Sequence, residues 1–303
     1  MKLGLPATVF AGLLLAAAAS HAADLSGGTA LPVHLKYAGR ASPASPAAPA
    51  LRSTAALVLD TTHSSVLYSR RPDVALPIAS ITKLMTALVV MDAAQPLDEQ
   101  LEITTEDGRQ RSRVVSRLAP GTTLSRGDLL HLALMSSENR AAHALGRNYP
   151  GGLVACVDAM NAKARELGMT NAHFVEPTGL SDQNVASPED LSKLVMAAAK
   201  VPLIHEYSTD SRYEVRVGRR TMRYVNTDSL VSRPDWNIEV QKTGYISRAG
   251  RCLVMQTVIE ERTVVIVLLN SFGKHTRVAD ARRIRKWLEA TILTLATAVP
   301  AIT

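Results

Sequence analysis

Three short stretches of this chain pair residue types that can move protons or hold anions. In Pro77-Ile78-Ala79-Ser80-Ile81-Thr82-Lys83 a serine and a lysine stand three apart. Positions i and i+3 share one face of a helix, so the Lys83 amine can reach the Ser80 hydroxyl. A helix start at that point also favours negative charge developing there. A serine becomes a nucleophile when a neighbouring base takes its proton. Lys83 can be that base only if burial or a second cation pulls its pKa down from about 10.4. In Met135-Ser136-Ser137-Glu138-Asn139-Arg140, Ser137 offers a hydroxyl that gives and takes a proton, and Asn139 a carboxamide that can pair with a peptide group. In Gln241-Lys242-Thr243-Gly244-Tyr245 a cation and a hydroxyl together suit a carboxylate, and Gly244 lets backbone come close to a ligand. Taken singly, each stretch is ordinary. Ser80 could simply cap a helix, Ser137 and Asn139 could sit in a polar turn, and Lys-Thr-Gly could end an edge strand.

The elements around them give the motifs places to stand. Ala55 to Asp60 and Ser65 to Tyr68 read as two short strands around a polar turn. Helical patterns follow at Ser80 to Asp92, Arg126 to Leu145, Leu153 to Leu167 and Pro188 to Ala199. Strand character returns at Tyr213 to Val217, Ile238 to Tyr245, Arg251 to Ile259 and Val264 to Leu269, the last two forming a hairpin around Glu260-Glu261-Arg262. A closing helix from Asp280 to about Leu295 carries Ile284, Trp287, Leu288 and Ile292 at helical spacing among basic residues. Strands, then helices, then strands and a helix predict an α+β fold, with an antiparallel sheet built from both chain ends around a helical middle.

Composition narrows the function classes. The 303 residues are 47% hydrophobic with two cysteines, which excludes a disordered polymer and a disulfide-stapled miniprotein. A net charge of +7 invites a nucleic-acid reading, but no reading module accompanies it, so no nucleic-acid partner is expected. Lys2, the uncharged Leu3 to Ala19 and the small residues of Ser20-His21-Ala22 read as a cleaved secretory signal, leaving a mature chain of charge +6 in the periplasm. Pro6 and a short apolar centre argue against a membrane anchor, and no integral span is expected in the mature chain. The prolines at 43, 46 and 49 make residues 23–54 an extended Pro/Ala/Ser-rich leader.

The motifs gain force from their order. Ser80-x-x-Lys83, Ser137-x-Asn139 after 57 residues and Lys242-Thr243-Gly244 after another 105 follow one another in an exported α+β chain. That trio resembles the active-site set of penicillin-binding proteins and class A β-lactamases. The wording around it resembles the low-molecular-mass serine DD-peptidases, most closely the D-alanyl-D-alanine endopeptidases of the penicillin-binding protein 7 kind. The match also rests on Glu176-Pro177-Thr178-Gly179-Leu180-Ser181 and Gly250-Arg251-Cys252-Leu253-Val254-Met255. It implies a signal peptide at 1–22, a peptidase domain at 55–290 and a tail at 291–303.

By this resemblance Ser80 forms an acyl-enzyme, Lys83 is its base and Ser137 passes a proton to the leaving amine. Asn139, Lys242, Thr243 and Gly244 bind substrate, with Lys242 also helping to keep Lys83 neutral, and the backbone N–H groups of Ser80 and Tyr245 form the oxyanion hole. No metal or other cofactor is implied. The implied substrate is the D-Ala to meso-diaminopimelate cross-link between peptidoglycan stem peptides, with β-lactams as covalent inhibitors. The alternatives are a DD-carboxypeptidase removing terminal D-Ala, a serine β-lactamase using Glu176 to activate water, and a non-catalytic murein-binding protein. His131, His143 and His173 read as packing or surface residues, Cys156 and Cys252 as buried free thiols. The apolar tail leaves room for peripheral contact with a membrane surface or other wall enzymes.

Overall fold

The two ends of the chain meet in one antiparallel sheet. The computed structural model describes residues 46–108 and 116–298, all within one unit spanning 43–303. The signal segment 1–22, residues 23–45 of the leader and residues 299–303 of the tail lie outside the described residues. Strands β1 (Ser53–Asp60) and β2 (Ser65–Arg70) open the fold. Short β3 (Leu76–Pro77) precedes α1 (Thr82–Asp92), and β4 (Gln100–Glu102) pairs with β5 (Thr123–Ser125). The helical middle holds α2 (Arg126–Met135), α3 (Asn139–Arg147), α4 (Gly152–Glu166), the short β6 (Val185–Ala186), α5 (Pro188–Ala199) and α6 (Pro202–Thr209). A separate hairpin of β7 (Arg212–Val217) and β8 (Arg220–Val225) comes before β9 (Asn237–Ile246), β10 (Gly250–Ile259), β11 (Arg262–Ser271) and α7 (Thr276–Ala298).

The main sheet runs β2-β1-β11-β10-β9, which is the α+β arrangement expected, with both chain ends in one sheet. Strand alternation gives it two apolar faces. Leu57, Val254, Val265 and Val267 face the helical middle, while Val58, Leu253, Met255, Ile266 and Leu268 pack under Ala281, Ile284 and Leu288 of α7. Both Cys156 and Cys252 are buried free thiols. No described helix is long and apolar enough to cross a membrane.

Three expectations need correction. The single helical pattern over Arg126 to Leu145 is two helices, because Ser137 adopts φ +60 and breaks the ladder between them. The hairpin turn after β10 holds only Glu260 and Glu261, both at positive φ, and Arg262 already pairs with Ile259. Finally, α7 begins at Thr276, four residues before Asp280, and continues to Ala298.

Asp280 joins the two chain ends. Its buried carboxylate accepts from the backbone of Arg52 at 3.0 Å and of Ser53 at 2.8 Å, from Ser53 Oγ at 2.7 Å, and from Arg283 at 2.6 Å. Replacing it strands several buried donors at once, each costing about 1–3 kcal/mol when unsatisfied. Asp280→Ala is expected to lower unfolding free energy by about 3 kcal/mol in urea titrations, with penicillin labelling of the folded fraction unchanged.

Candidate active site

The candidate nucleophile sits on a short 3₁₀ turn, Ala79–Ile81, that leads directly into α1. Ala79 adopts φ +49, a conformation that costs a non-glycine residue about 1–3 kcal/mol and needs support from its surroundings. That support comes from two sides. A Cβ on Gly244 of β9 would stand 2.8 Å from the Ile78 carbonyl oxygen and 3.1 Å from Ser80 N. A Cβ on Gly179, which has φ +80, would stand 1.9 Å from the Ala79 carbonyl oxygen. Two bare Cα positions therefore grip the Ala79–Ser80 peptide, and Thr82 Oγ1 donates to the same Ala79 carbonyl at 2.8 Å.

The loop carrying Gly179 is itself folded around Glu176. The buried carboxylate accepts from Thr178 N at 2.7 Å, Thr178 Oγ1 at 2.5 Å, Gly179 N at 2.6 Å, Ser181 N at 3.2 Å and Asn184 Nδ2 at 3.0 Å. Asn184 ties this loop back to the nucleophile turn, its Nδ2 donating to Thr82 Oγ1 at 3.1 Å and its carbonyl accepting from Ile78 N at 3.1 Å.

Lys83, one helical step below Ser80, is completely enclosed. Its Nζ lies 2.9 Å from Ser80 Oγ, 2.8 Å from Asn139 Oδ1 and 2.5 Å from the Thr178 carbonyl oxygen. Burial pulls its pKa down to about 8, against an opposing pull from Glu176 and Glu138. About a tenth is therefore the uncharged amine at pH 7 and about half at pH 8, the form that can take a proton from Ser80.

Above this pair opens a cleft of about 250 Å³. Ser80, Ser137, Asn139, Thr243, Gly244 and Tyr245 all line it, so most of the residues singled out by the sequence converge there. Ser137 is delivered by the strained break between α2 and α3. Thr243 Oγ1 lies 2.6 Å from Thr227 Oγ1, which fixes the hydroxyl at the cleft wall. The arrangement provides a nucleophile with an adjacent base, a second hydroxyl for proton relay and backbone donors at a tight turn, the components of acyl transfer.

Comparison with known proteins agrees with the geometry. Residues 42–273 match the family model described as D-alanyl-D-alanine carboxypeptidase. The chain is 50% identical over 253 residues to the D-alanyl-D-alanine endopeptidase of Pseudomonas aeruginosa, covering 83% of this chain and 81% of that protein. It is 48% identical to the protein of the same name from Escherichia coli K12, covering 80% and 78%.

The chain belongs to the peptidase S11 family.

Among solved structures it is similar to the D-alanyl-D-alanine carboxypeptidase of Mycobacterium tuberculosis H37Rv, at TM-score 0.74 and 27% identity over 82% of this chain and 95% of that one. It is likewise similar to the Streptomyces K15 DD-transpeptidase, at TM-score 0.74 and 25% identity over 80% and 98%.

Within this S11 peptidase some site residues stand differently from expectation. Asn139 turns its Oδ1 inward to Lys83, so the carboxamide oxygen serves the base. Lys242 is buried behind the cleft wall, its Nζ 3.1 Å from the Thr243 carbonyl oxygen. Burial is the first cause of the Lys83 depression, and the charge of buried Lys242 and that of Lys83 repel each other. It is Lys242 that is held well below the ordinary lysine range, by its own burial and then by repulsion from Lys83 and Arg277. The cations lining the cleft are Arg251 and Arg277, and the Nε and Nη1 of Arg277 are buried without a hydrogen-bond partner among the described residues. Arg277 and Thr227 carry no motif of their own in the sequence. Arg277 reaches the site from the first turn of α7 and Thr227 from the segment after β8, a placement that only the fold discloses. The S11 site has no carboxylate poised to activate water at Glu176, because both of its oxygens are already accepting.

The grip on the Ala79–Ser80 peptide can be tested at a distance from the chemistry. Gly179→Ala must displace that peptide, and an error of about 1 Å in a reacting group costs roughly 100-fold in rate. Fluorescent-penicillin labelling is therefore expected to slow by about that factor while circular dichroism reports a folded chain. Gly121→Ala, also at positive φ but with open space around its Cβ, is expected to label at the parental rate.

Proposed function

We propose that this S11 peptidase is a murein DD-endopeptidase that cleaves the D-Ala to meso-diaminopimelate cross-link through an acyl-enzyme on Ser80. The observation that carries the reading is the contact of 2.9 Å between the enclosed Lys83 Nζ and Ser80 Oγ at the floor of the cleft. The 50% identity to a protein named D-alanyl-D-alanine endopeptidase supports the choice of substrate.

In the acylation step the uncharged Lys83 amine takes the Ser80 proton as Oγ bonds to the D-Ala carbonyl carbon. The resulting oxyanion is held by the backbone N–H groups of Ser80 and Tyr245, of the kind whose loss costs about 2.7–4 kcal/mol per donor. Ser137 passes a proton to the nitrogen of the leaving amine as the C–N bond breaks. Water then attacks the ester carbonyl and releases the D-Ala carboxylate with Ser80 restored. The leaving residue carries its own carboxylate, which suits Thr243 and the Arg277 guanidinium at the cleft wall, with Lys242 behind them. A carboxylate arriving beside Lys242 would favour its ammonium form, so binding draws a proton as well as a ligand. A β-lactam, whose strained amide is opened by the same attack, would stay on Ser80.

A DD-carboxypeptidase reading is favoured by the description of the family model itself. It uses the same acylation with free D-Ala as the leaving group. Export by a signal at 1–22, a periplasmic location and a peptidase domain bounded at 55–290 belong to the proposal, supported by the sequence pattern of the first 22 residues and the start of β1 at Ser53.

Purified cross-linked muropeptide dimers separate these outcomes. Conversion to monomers is expected, and it should vanish in Ser80→Ala together with penicillin labelling, without loss of stability. Release of terminal D-Ala from intact dimers would select the carboxypeptidase, and undiminished cleavage by Ser80→Ala would remove Ser80 as nucleophile.

A further inference from the structure

The hairpin of β7 and β8 holds an excess of positive charge that the proposed chemistry does not use. Between Arg212 and Val225 stand five arginines and one acidic residue, Glu214. Glu214 is taken by Arg223, at 2.7 Å. Arg212, Arg216, Arg219 and Arg220 are exposed and have no ion-pair partner among the described residues. Elsewhere exposed Arg233 pairs with Asp235 and exposed Arg248 with Asp182, while Arg52, Arg71, Arg165 and Arg282 are exposed without an ion pair among the described residues but stand singly along the chain. The hairpin is thus a place where the basic balance of the chain is left open to solvent.

Register places three of the arginines on one side, while Arg220 falls on the other. Arg212 faces Val225, Glu214 faces Arg223 and Arg216 faces Thr221 across the ladder, so Arg212, Arg216 and Arg223 share the outer face. Val215 and Tyr224 fill the inner face and are buried. Arg219 extends the charge to the tip, and six-residue strands carry it about 20 Å from the base of the hairpin.

That base is fixed against the cleft. Asn226 donates to the carbonyls of Ser208 at 2.9 Å and Asp210 at 2.8 Å, and its Oδ1 accepts from Gln241 of β9 at 2.8 Å. Thr227, the next residue, lines the cleft. Beside it a groove of about 470 Å³ is lined by Arg212, Arg223 and Asn226, by Ser211, Ser229 and Ser232, and by Val225 and the buried Asp228. Guanidinium groups and hydroxyls in one groove suit a polymer that alternates carboxylates with sugar or peptide hydrogen-bonding groups.

We propose that the outer face of this hairpin and the adjoining groove hold a neighbouring anionic strand of the peptidoglycan, bound through its stem-peptide carboxylates, while one cross-link occupies the cleft. The inference rests on the murein reading of the cleft. A cross-linked wall presents many stems around each bond that is cut, and a fixed row of arginines raises the local concentration of such a polyanion near the cleft. Soluble cross-linked dimers lack this surrounding mesh, so the hairpin acts on the polymer and not on the bond.

The test uses the full-length exported protein, acylated with penicillin so that the cleft is occupied and the wall is not digested. It is sedimented with purified sacculi at low and high ionic strength. Wild-type protein is expected to pellet at low salt and to be released as salt rises. A triple variant, Arg212→Ser with Arg216→Ser and Arg219→Ser, is expected to be retained about tenfold less or worse. Its penicillin-labelling rate and its cleavage of soluble dimers are expected to stay at the parental level. The corresponding triple lysine variant should retain most of the sacculus binding. Undiminished retention of the folded, penicillin-labelled serine variant would overturn the proposal. So would an equal loss of binding to anionic phosphatidylglycerol vesicles with no change on sacculi, which would assign the hairpin to a membrane. Failure of wild-type protein to take up penicillin would instead overturn the reading of the cleft.

Discussion

Everything at the cleft depends on how the Ala79–Ser80 peptide is held. It is gripped between a loop and a strand that are far apart in sequence, each contributing a residue without a side chain where the backbones touch. The strain at Ala79, with φ +49, persists because both sides of the turn are filled. Neither side is rigid alone. The loop is wound around the Glu176 carboxylate, and the strand is ordered by its pairing with β10, Gly244 opposite Cys252 and Tyr245 opposite Arg251. The helical middle and the sheet therefore meet at the nucleophile, and each fixes it against the other.

The same enclosure sets the electrostatics. Buried Lys83 and Lys242 and half-buried Arg277 act on one another alongside buried Asp228, whose Oδ2 has no hydrogen-bond partner among the described residues. Burial raises the Asp228 carboxyl while Arg277 and Lys242 pull it down, and burial lowers the two lysines. Burying amines beside one another favours their uncharged forms when the site is empty and their charged forms when a carboxylate enters. This accounts for how one lysine can serve as a base while the residues beside it still recruit an anion. It also explains why Asn139, expected at the substrate, spends its carbonyl oxygen on Lys83.

Much of this was legible in the sequence, for physical reasons that differ by region. Nearly continuous apolar runs made β1, β10 and β11 recognisable, and the helical pattern from Pro188 gave the start of α5, which the structure caps with Ser187 and Asp190. The spacing of Ser80 and Lys83 announced their contact, since three residues of helix allow little else. The break at Ser137 was hidden because apolar residues at helical spacing resume at Ala141 after the polar stretch 136–140, and a positive φ at serine carries no sequence signature. Short α6 and strand β8 were missed for want of length and clean alternation. Arg277 and Thr227 had no local motif, and their place at the cleft follows from the start of α7 and the segment after β8. The burial of Lys242 behind the wall was beyond any spacing argument, because it depends on which elements close over the strand.

The central claim is that Lys83 works as an uncharged, buried base on Ser80. The most direct measurement is the second-order rate of penicillin acylation against pH, from about 6 to about 10. With the Lys83 pKa near 8, the rate should rise as the amine loses its proton, with a midpoint close to that value. Because the Glu176 charge favours protonated Lys83, Glu176→Gln should move the midpoint to lower pH in whatever fraction remains folded. A rate that is flat across this range, or that falls through pH 8, would contradict the account.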